Sequence, residues 1–238
     1  MNRAQKGPKP LRERGLGMSE AESHTLSVVD REYSRRNFLK TAAAVGAAFT
    51  AAGIGGAELF TRFANAQQGV NFPTYQGLGD AAILGFALQL ERLEGTFYAA
   101  GVNAGILSGD ALAQVAAIRD HEMAHADAIA TTLGQLGAAV PATPQFTYPN
   151  GVFTDVKAFL QLAATFEPVG IGAYQGAAPA LKSKDILAAA ISIHNAECQH
   201  RCAINILNLV NPPNNLAFEK ALPLQKVQAA VKPFGITG

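Results

Sequence analysis

Residues 120–127 read Asp120-His121-Glu122-Met123-Ala124-His125-Ala126-Asp127, and further on the chain reads Glu197-Cys198-Gln199-His200. Both hold a Glu-x-x-His. On an α-helix, residues i and i+3 share a face, so Glu122 projects beside His125 and Glu197 beside His200. A lone glutamate precedes each motif at a matched distance: Glu91 lies 31 residues before Glu122, and Glu167 lies 30 before Glu197. Each lone glutamate is followed seven residues later by a tyrosine, Tyr98 and Tyr174. One Glu-x-x-His is common by chance, but the doubled set in matched order is not. It is the ligand pattern of an all-α four-helix bundle with two metal ions in its core.

The charges explain why such a set wants metal. Four carboxylates carry about −4 and two divalent cations +4, whereas four acids in a metal-free apolar core cost several kcal/mol per ion in lost hydration. Carboxylate and imidazole without thiolate suit two iron ions, with manganese the alternative, rather than a closed structural zinc site. The expected metal ligands are Glu91, Glu122, His125, Glu167, Glu197 and His200. Glu94, three residues after Glu91 on the same side, is the reserve ligand. Four of the five histidines (His121, His125, His194 and His200) lie in the two motif helices. Tyr98 and Tyr174 read as core tyrosines beside the site, with satisfied hydroxyls, in preference to redox participants.

These residues resemble the ferritin-like superfamily. The stretch 120–127 is similar to the corresponding helix of bacterioferritins, and the arrangement over roughly residues 77–210 also resembles a bacterial ferritin-like family that includes proteins named for desiccation response. The resemblance implies that Glu122 and Glu197 bridge two metals, with Glu91 and His125 completing one and Glu167 and His200 the other. One departure stands out. Bacterioferritins often carry an acid just before the motif glutamate, where this chain has His121 and Ala196, and such outer partners orient the histidine ligands.

The first 66 residues read as an export segment. Ser34-Arg35-Arg36-Asn37-Phe38-Leu39-Lys40 fits the twin-arginine pattern S-R-R-x-F-L-K, with Arg35 and Arg36 as the signal pair. An Ala/Gly-rich apolar stretch follows, closing at Ala64-Asn65-Ala66, a small-x-small cleavage site. An uncleaved anchor is the competing reading, since about 20 apolar residues just span a bilayer. Residues 1–33 read as a disordered extension. Residues 1–66 carry net +4 and residues 67–238 net −3, so the domain is acidic and no nucleic-acid partner is expected. Twin-arginine export moves folded proteins, which lets the metal be chosen in the cytoplasm. The destination is the periplasm or another extracytoplasmic space.

The remaining 172 residues suffice for one ferritin-like domain. Asp80 is the expected N-cap of a first helix to about Gly105, and Asp110 that of a second over about 111–136. A Pro-, Gly- and Thr-rich connection over 138–153 matches the long crossover between second and third helices of such bundles. Thr154 or Asp155 caps a third helix to about Gly176, and Ser183 starts a fourth that Pro212 and Pro213 stop after Asn211. A short helix is expected around 223–231. Pro168 directly follows Glu167; it marks either a kink that re-aims Glu167 or opens a channel, or a helix boundary. Cys198 and Cys202 read as free buried thiols, with a soft-metal stripe through His194 as the alternative.

The expected function is an exported, redox-active di-iron or di-manganese protein whose partners are Fe(II), oxygen or peroxide and the twin-arginine machinery, in a monomer or possible homodimer. Stress protection is the expected role, as ferroxidase or peroxide consumer. A structural or binding desiccation-related protein is the second reading. A hollow iron-storage cage comes last, since a folded 24-subunit shell does not suit an export pore.

Overall fold

The computed structural model describes residues 75–237. The expectations for residues 1–66, including Arg35, Arg36 and the cleavage site, lie outside the described residues. Five α-helices follow in order: α1 (Asp80–Asn103), α2 (Gly109–Gln135), α3 (Val156–Ala177), α4 (Lys184–Leu207) and the short α5 (Leu224–Val231), with no strand among the described residues. The tight connection 104–108 turns α2 back along α1, and α3 packs likewise on α4. The two pairs meet through α1 against α3 and α2 against α4. Residues 136–155 make the long crossover between them. This is the four-helix bundle that the glutamate and histidine pattern implied.

Aromatic side chains fill the end of the core nearest that crossover. Phe97 stacks on Phe159 with ring centroids 4.6 Å apart and meets Phe166 edge-on at 5.0 Å. Offset and edge-on pairs of this kind contribute about 0.5–1.5 kcal/mol beyond the area they bury.

Two helix starts are as expected: Asp155 accepts from the Ala158 amide at 2.6 Å, and Ser183 from that of Ile186 at 3.3 Å. Two are not. Gly79 holds the N-cap position of α1, and the Asp80 carboxylate instead accepts from the Lys182 and Ser183 amides, both at 2.9 Å. It thereby serves the amides that lead into α4, where donors have no intrahelical partner. Ser108, not Asp110, sits at the N-cap of α2.

The fourth helix also stops earlier than its prolines suggested, at Leu207. Leu209 adopts a left-handed backbone (φ 60°), its amide donates to Ile206 O at 3.0 Å, and that of Val210 donates to Asn205 O at 2.9 Å. This pair of reversed bonds closes the helix before Pro212 is reached.

Helix α3 runs unbroken through Pro168, so the boundary reading of that residue is wrong. The glycines after it serve packing. A Cβ at Gly176 would lie 2.1 Å from Leu222 O, and one at Gly172 would lie 2.5 Å from Leu222 Cγ. The chain after α4 therefore lies directly on α3, with the Leu222 amide donating to Gly172 O at 2.9 Å. Arg201 secures the same segment, donating to Glu219 at 2.5 Å and to Asn215 at 2.8 Å.

Candidate metal centre

Four helices deliver one cluster. α1 contributes Glu91 and Glu94, α2 Glu122 and His125, α3 Glu167, and α4 Glu197 and His200. All six expected ligands converge, and the reserve Glu94 joins them. Glu122, Glu167 and Glu197 are each 0% exposed, which no carboxylate tolerates without compensation.

The contacts have a definite plan. His125 Nδ1 lies 3.1 Å from Glu91 Oε2, 3.2 Å from Glu197 Oε1 and 3.4 Å from Glu122 Oε2. His200 Nδ1 lies 2.8 Å from Glu122 Oε1, 3.8 Å from Glu197 Oε1 and 4.0 Å from Glu167 Oε2. Glu122 and Glu197 thus face both imidazoles, whereas Glu91 belongs with His125 and Glu167 with His200. The tyrosines cross between the helices: Tyr98 of α1 donates its hydroxyl hydrogen to Glu167 of α3, and Tyr174 of α3 donates to Glu91 of α1. Both hydroxyls are satisfied, as core tyrosines require.

The donor set fits divalent cations on this structure's own terms. Among the described residues nine buried side-chain polar atoms lack a hydrogen-bond partner. Six of them are both oxygens of Glu122, both of Glu197, Glu167 Oε2 and His200 Nδ1, whose approaches to one another, 2.8 Å for Glu122 Oε1 and His200 Nδ1, are ion-pair contacts without hydrogen-bond geometry. Orphaned buried atoms are rare in folded proteins, and six converging on one point are what a cation would satisfy.

The ferritin-like domain family model matches residues 79–209, and the twin-arginine translocation signal model matches residues 32–52. The chain belongs to the ferritin-like domain family. No curated protein matches it at a significant level. Its twin-arginine signal directs export across the cytoplasmic membrane. No helix of the described residues is long and apolar enough to cross a membrane.

Electrostatics in this ferritin-like centre follow from burial among like charges. Burial and neighbouring acids push the Glu91, Glu94 and Glu167 carboxyls well above their ordinary range. Glu122 goes the other way: burial alone would raise it, but the flanking imidazoles hold it down to about 2. Burial disfavours charge on the histidines too, yet the carboxylates win, lifting His125 to about 12 and His200 to about 10. Without metal, protons on the imidazoles and raised carboxyls hold the cluster together.

One residue beside the cluster escaped the pattern. His121 Nδ1 lies 2.9 Å from His200 Nε2, and the two rings stack at 5.2 Å. An imidazole therefore occupies the outer position beside His200, while the side chain of Ala196 offers no polar atom at the equivalent place. The signal was visible only as a departure from an acidic position. Cys198 and Cys202 are free and half-buried. Cys198 Sγ lies 3.9 Å from His194 Nδ1, burial pushes its thiol up to about 11, and no candidate metal cluster among the described residues includes either cysteine. The thiols are thus free, as expected, but half-buried where burial was expected.

Proposed function

We propose that this exported ferritin-like protein holds two iron ions, with manganese as the alternative, and performs redox chemistry with oxygen or peroxide. Glu122 and Glu197 would be shared between the metals, with Glu91 and His125 completing one position and Glu167 and His200 the other. The carrying observation is the double approach of Glu122, with Oε2 toward His125 and Oε1 toward His200. A bound pair would supply two electrons at once to oxygen or peroxide.

The chain's own residues prepare that chemistry. Glu122 and Glu197 reach both imidazoles and so would hold both ions. Tyr98 and Tyr174 fix the outer carboxylates, leaving Glu167 Oε2 and Glu91 Oε2 turned toward the imidazoles. The bundle core excludes bulk water from these donors. A cavity of about 340 Å³ between α1 and α2, lined by Glu91, Gly95, Met123 and Asp127 among others, gives small reactants a way to Glu91.

The test is anaerobic Fe(II) titration followed by hydrogen peroxide or air. The reading predicts saturation at two or more Fe(II), with one peroxide consumed per two Fe(II) oxidised. Protein carrying Glu122→Ala with Glu197→Ala should lose this consumption while remaining helical. Wild-type protein that binds no metal pair would falsify the reading. Wild type that binds the pair but consumes no oxidant, with the double variant losing stability or nothing, would instead support the structural, desiccation-related alternative. The periplasm is the proposed destination after cleavage behind Ala66, and replacing Arg35 and Arg36 with lysine should leave uncut precursor inside the cell.

A further inference from the structure

Three further buried side-chain atoms among the described residues lack a hydrogen-bond partner, and none belongs to the metal cluster: the Tyr75 hydroxyl, Gln175 Oε1 and His194 Nε2. Gln175 and His194 line one cleft of about 140 Å³. Tyr174, Gln175 and Ala178 at the end of α3 form one wall, and Ala190, Ile191 and His194 of α4 the other. Tyr75 lines a separate pocket of about 30 Å³ that also touches Tyr174 and Ala190. An orphaned buried polar atom marks a place where something else supplies the bond.

Volume separates the two places. One water takes about 30 Å³, so a single water suits the Tyr75 pocket. The cleft has room for about four, and each ordered water needs about two to four polar partners. Two unpartnered atoms cannot order that many, and the Tyr174 hydroxyl is already given to Glu91. An apolar group that displaces such loosely held water gains affinity. Ala178, Ala190 and Ile191 supply an apolar wall for one, and Ile191, 58% exposed, marks the mouth. A mostly apolar cleft with a few placed polar atoms is how small-molecule sites are built.

The occupant's chemistry follows from the two atoms. Gln175 Oε1 only accepts, so the ligand must donate to it. His194 Nδ1 lies 3.9 Å from Cys198 Sγ, which leaves Nε2 for the cleft, and burial holds the imidazole below its usual range. The cleft walls therefore carry no formal charge at neutral pH and suit a neutral ligand. A hydroxyl both donates and accepts, so it serves Nε2 in either neutral tautomer. We propose that this cleft binds a small neutral diol or polyol, its hydroxyls on Gln175 Oε1 and His194 Nε2 and its carbons against Ala178, Ala190 and Ile191. The site uses no metal ligand and does not rest on the two-metal reading.

Nuclear magnetic resonance on isotope-labelled, chelator-stripped protein tests it, with propylene glycol as the probe and butanone, of equal heavy-atom count but without a donor, as its counterpart. Propylene glycol should shift the Gln175 side-chain amide and the His194 imidazole saturably, and butanone should bind about fivefold more weakly or worse, for want of a bond to Gln175. Gln175→Met and His194→Leu should each weaken the diol on the order of fivefold and leave butanone unchanged. Signals that move with neither probe mean that the cleft takes water only, which overturns the proposal. Equal affinity for both probes, or a diol affinity unaltered in the variants, overturns it too. Either variant decides should the other fail to fold, and the comparison of probes in wild type needs neither.

Discussion

Tyr98 on α1 donates its hydroxyl hydrogen to Glu167 on α3, although its own helix carries Glu91 seven residues earlier. Tyr174 on α3 returns the favour to Glu91. The pairing ties the two lone-glutamate helices together across the centre. It also removes one oxygen of each carboxylate from competition, so the remaining oxygen faces inward.

Tyr98→Phe should leave Glu167 Oε1 buried and unbonded. The expected result is about 10–100-fold weaker metal binding, as for other outer-partner losses. Metal-free protein should lose about 1–3 kcal/mol of stability, the cost of an orphaned buried acceptor. Metal titration and denaturant melts of stripped protein check the two parts separately.

His121 should act through His200. With His200 Nδ1 directed at Glu122 and its Nε2 held by His121, the imidazole is fixed in ring orientation. His121→Ala should therefore weaken metal binding about tenfold or more, whereas His121→Asp, which restores a hydrogen-bond acceptor, should recover most of it. A stepwise titration distinguishes the outcomes, and equal affinities in all three proteins would dismiss the role.

Metal uptake should release protons. His125 and His200, raised to about 12 and about 10, are both charged at neutral pH in the stripped protein and must deprotonate to ligate. Loading at pH 7 should release about two protons or more, and affinity should climb with pH. Calorimetry in buffers of different ionisation enthalpy counts them.

The stripped protein's stability should run the other way. Groups whose folded pKa lies above the unfolded one stabilise below the unfolded value and lose that contribution as pH rises. The histidines, starting from 6.5, and Glu91, Glu94 and Glu167, starting from 4.5, all behave so. Glu122, lowered to about 2, contributes above 4.5 and loses its share as pH falls. Thermal melts in chelator should fall between pH 6.5 and 10, while metal-loaded protein holds steady. A flat chelator profile would contradict the geometry.

Leu209 offers a test away from the metals. It is 90% exposed and held in the left-handed region, which costs an L-residue roughly 1–2 kcal/mol. Leu209→Gly should remove that strain, less the added freedom of glycine in the unfolded chain, and raise stability by about 0.5–1 kcal/mol. Metal binding should not change.

The helices, their order and the six-residue donor set were legible in the sequence because each depends on short-range spacing. A Glu-x-x-His holds its two side chains on one face wherever its helix goes, and Asp155 and Ser183 cap their own helices through bonds three residues long. Relations between helices were not legible. Asp80 had the right residue type for a cap yet serves amides 102 and 103 residues away. Pro168 read locally as a kink or a helix boundary, but the glycines after it serve distant segments: Gly172 and Gly176 admit the tail and Gly170 admits Glu94. The crossing of Tyr98 and Tyr174, the arrival of Glu94 and the seat of His121 against His200 likewise depend on how four rods rotate about their axes. That rotation is settled by packing over the whole core, because a side chain's partner on another helix depends on every contact that sets the two axes. The local pattern therefore determined which residues could bind metal, and the tertiary structure decided which of them touch.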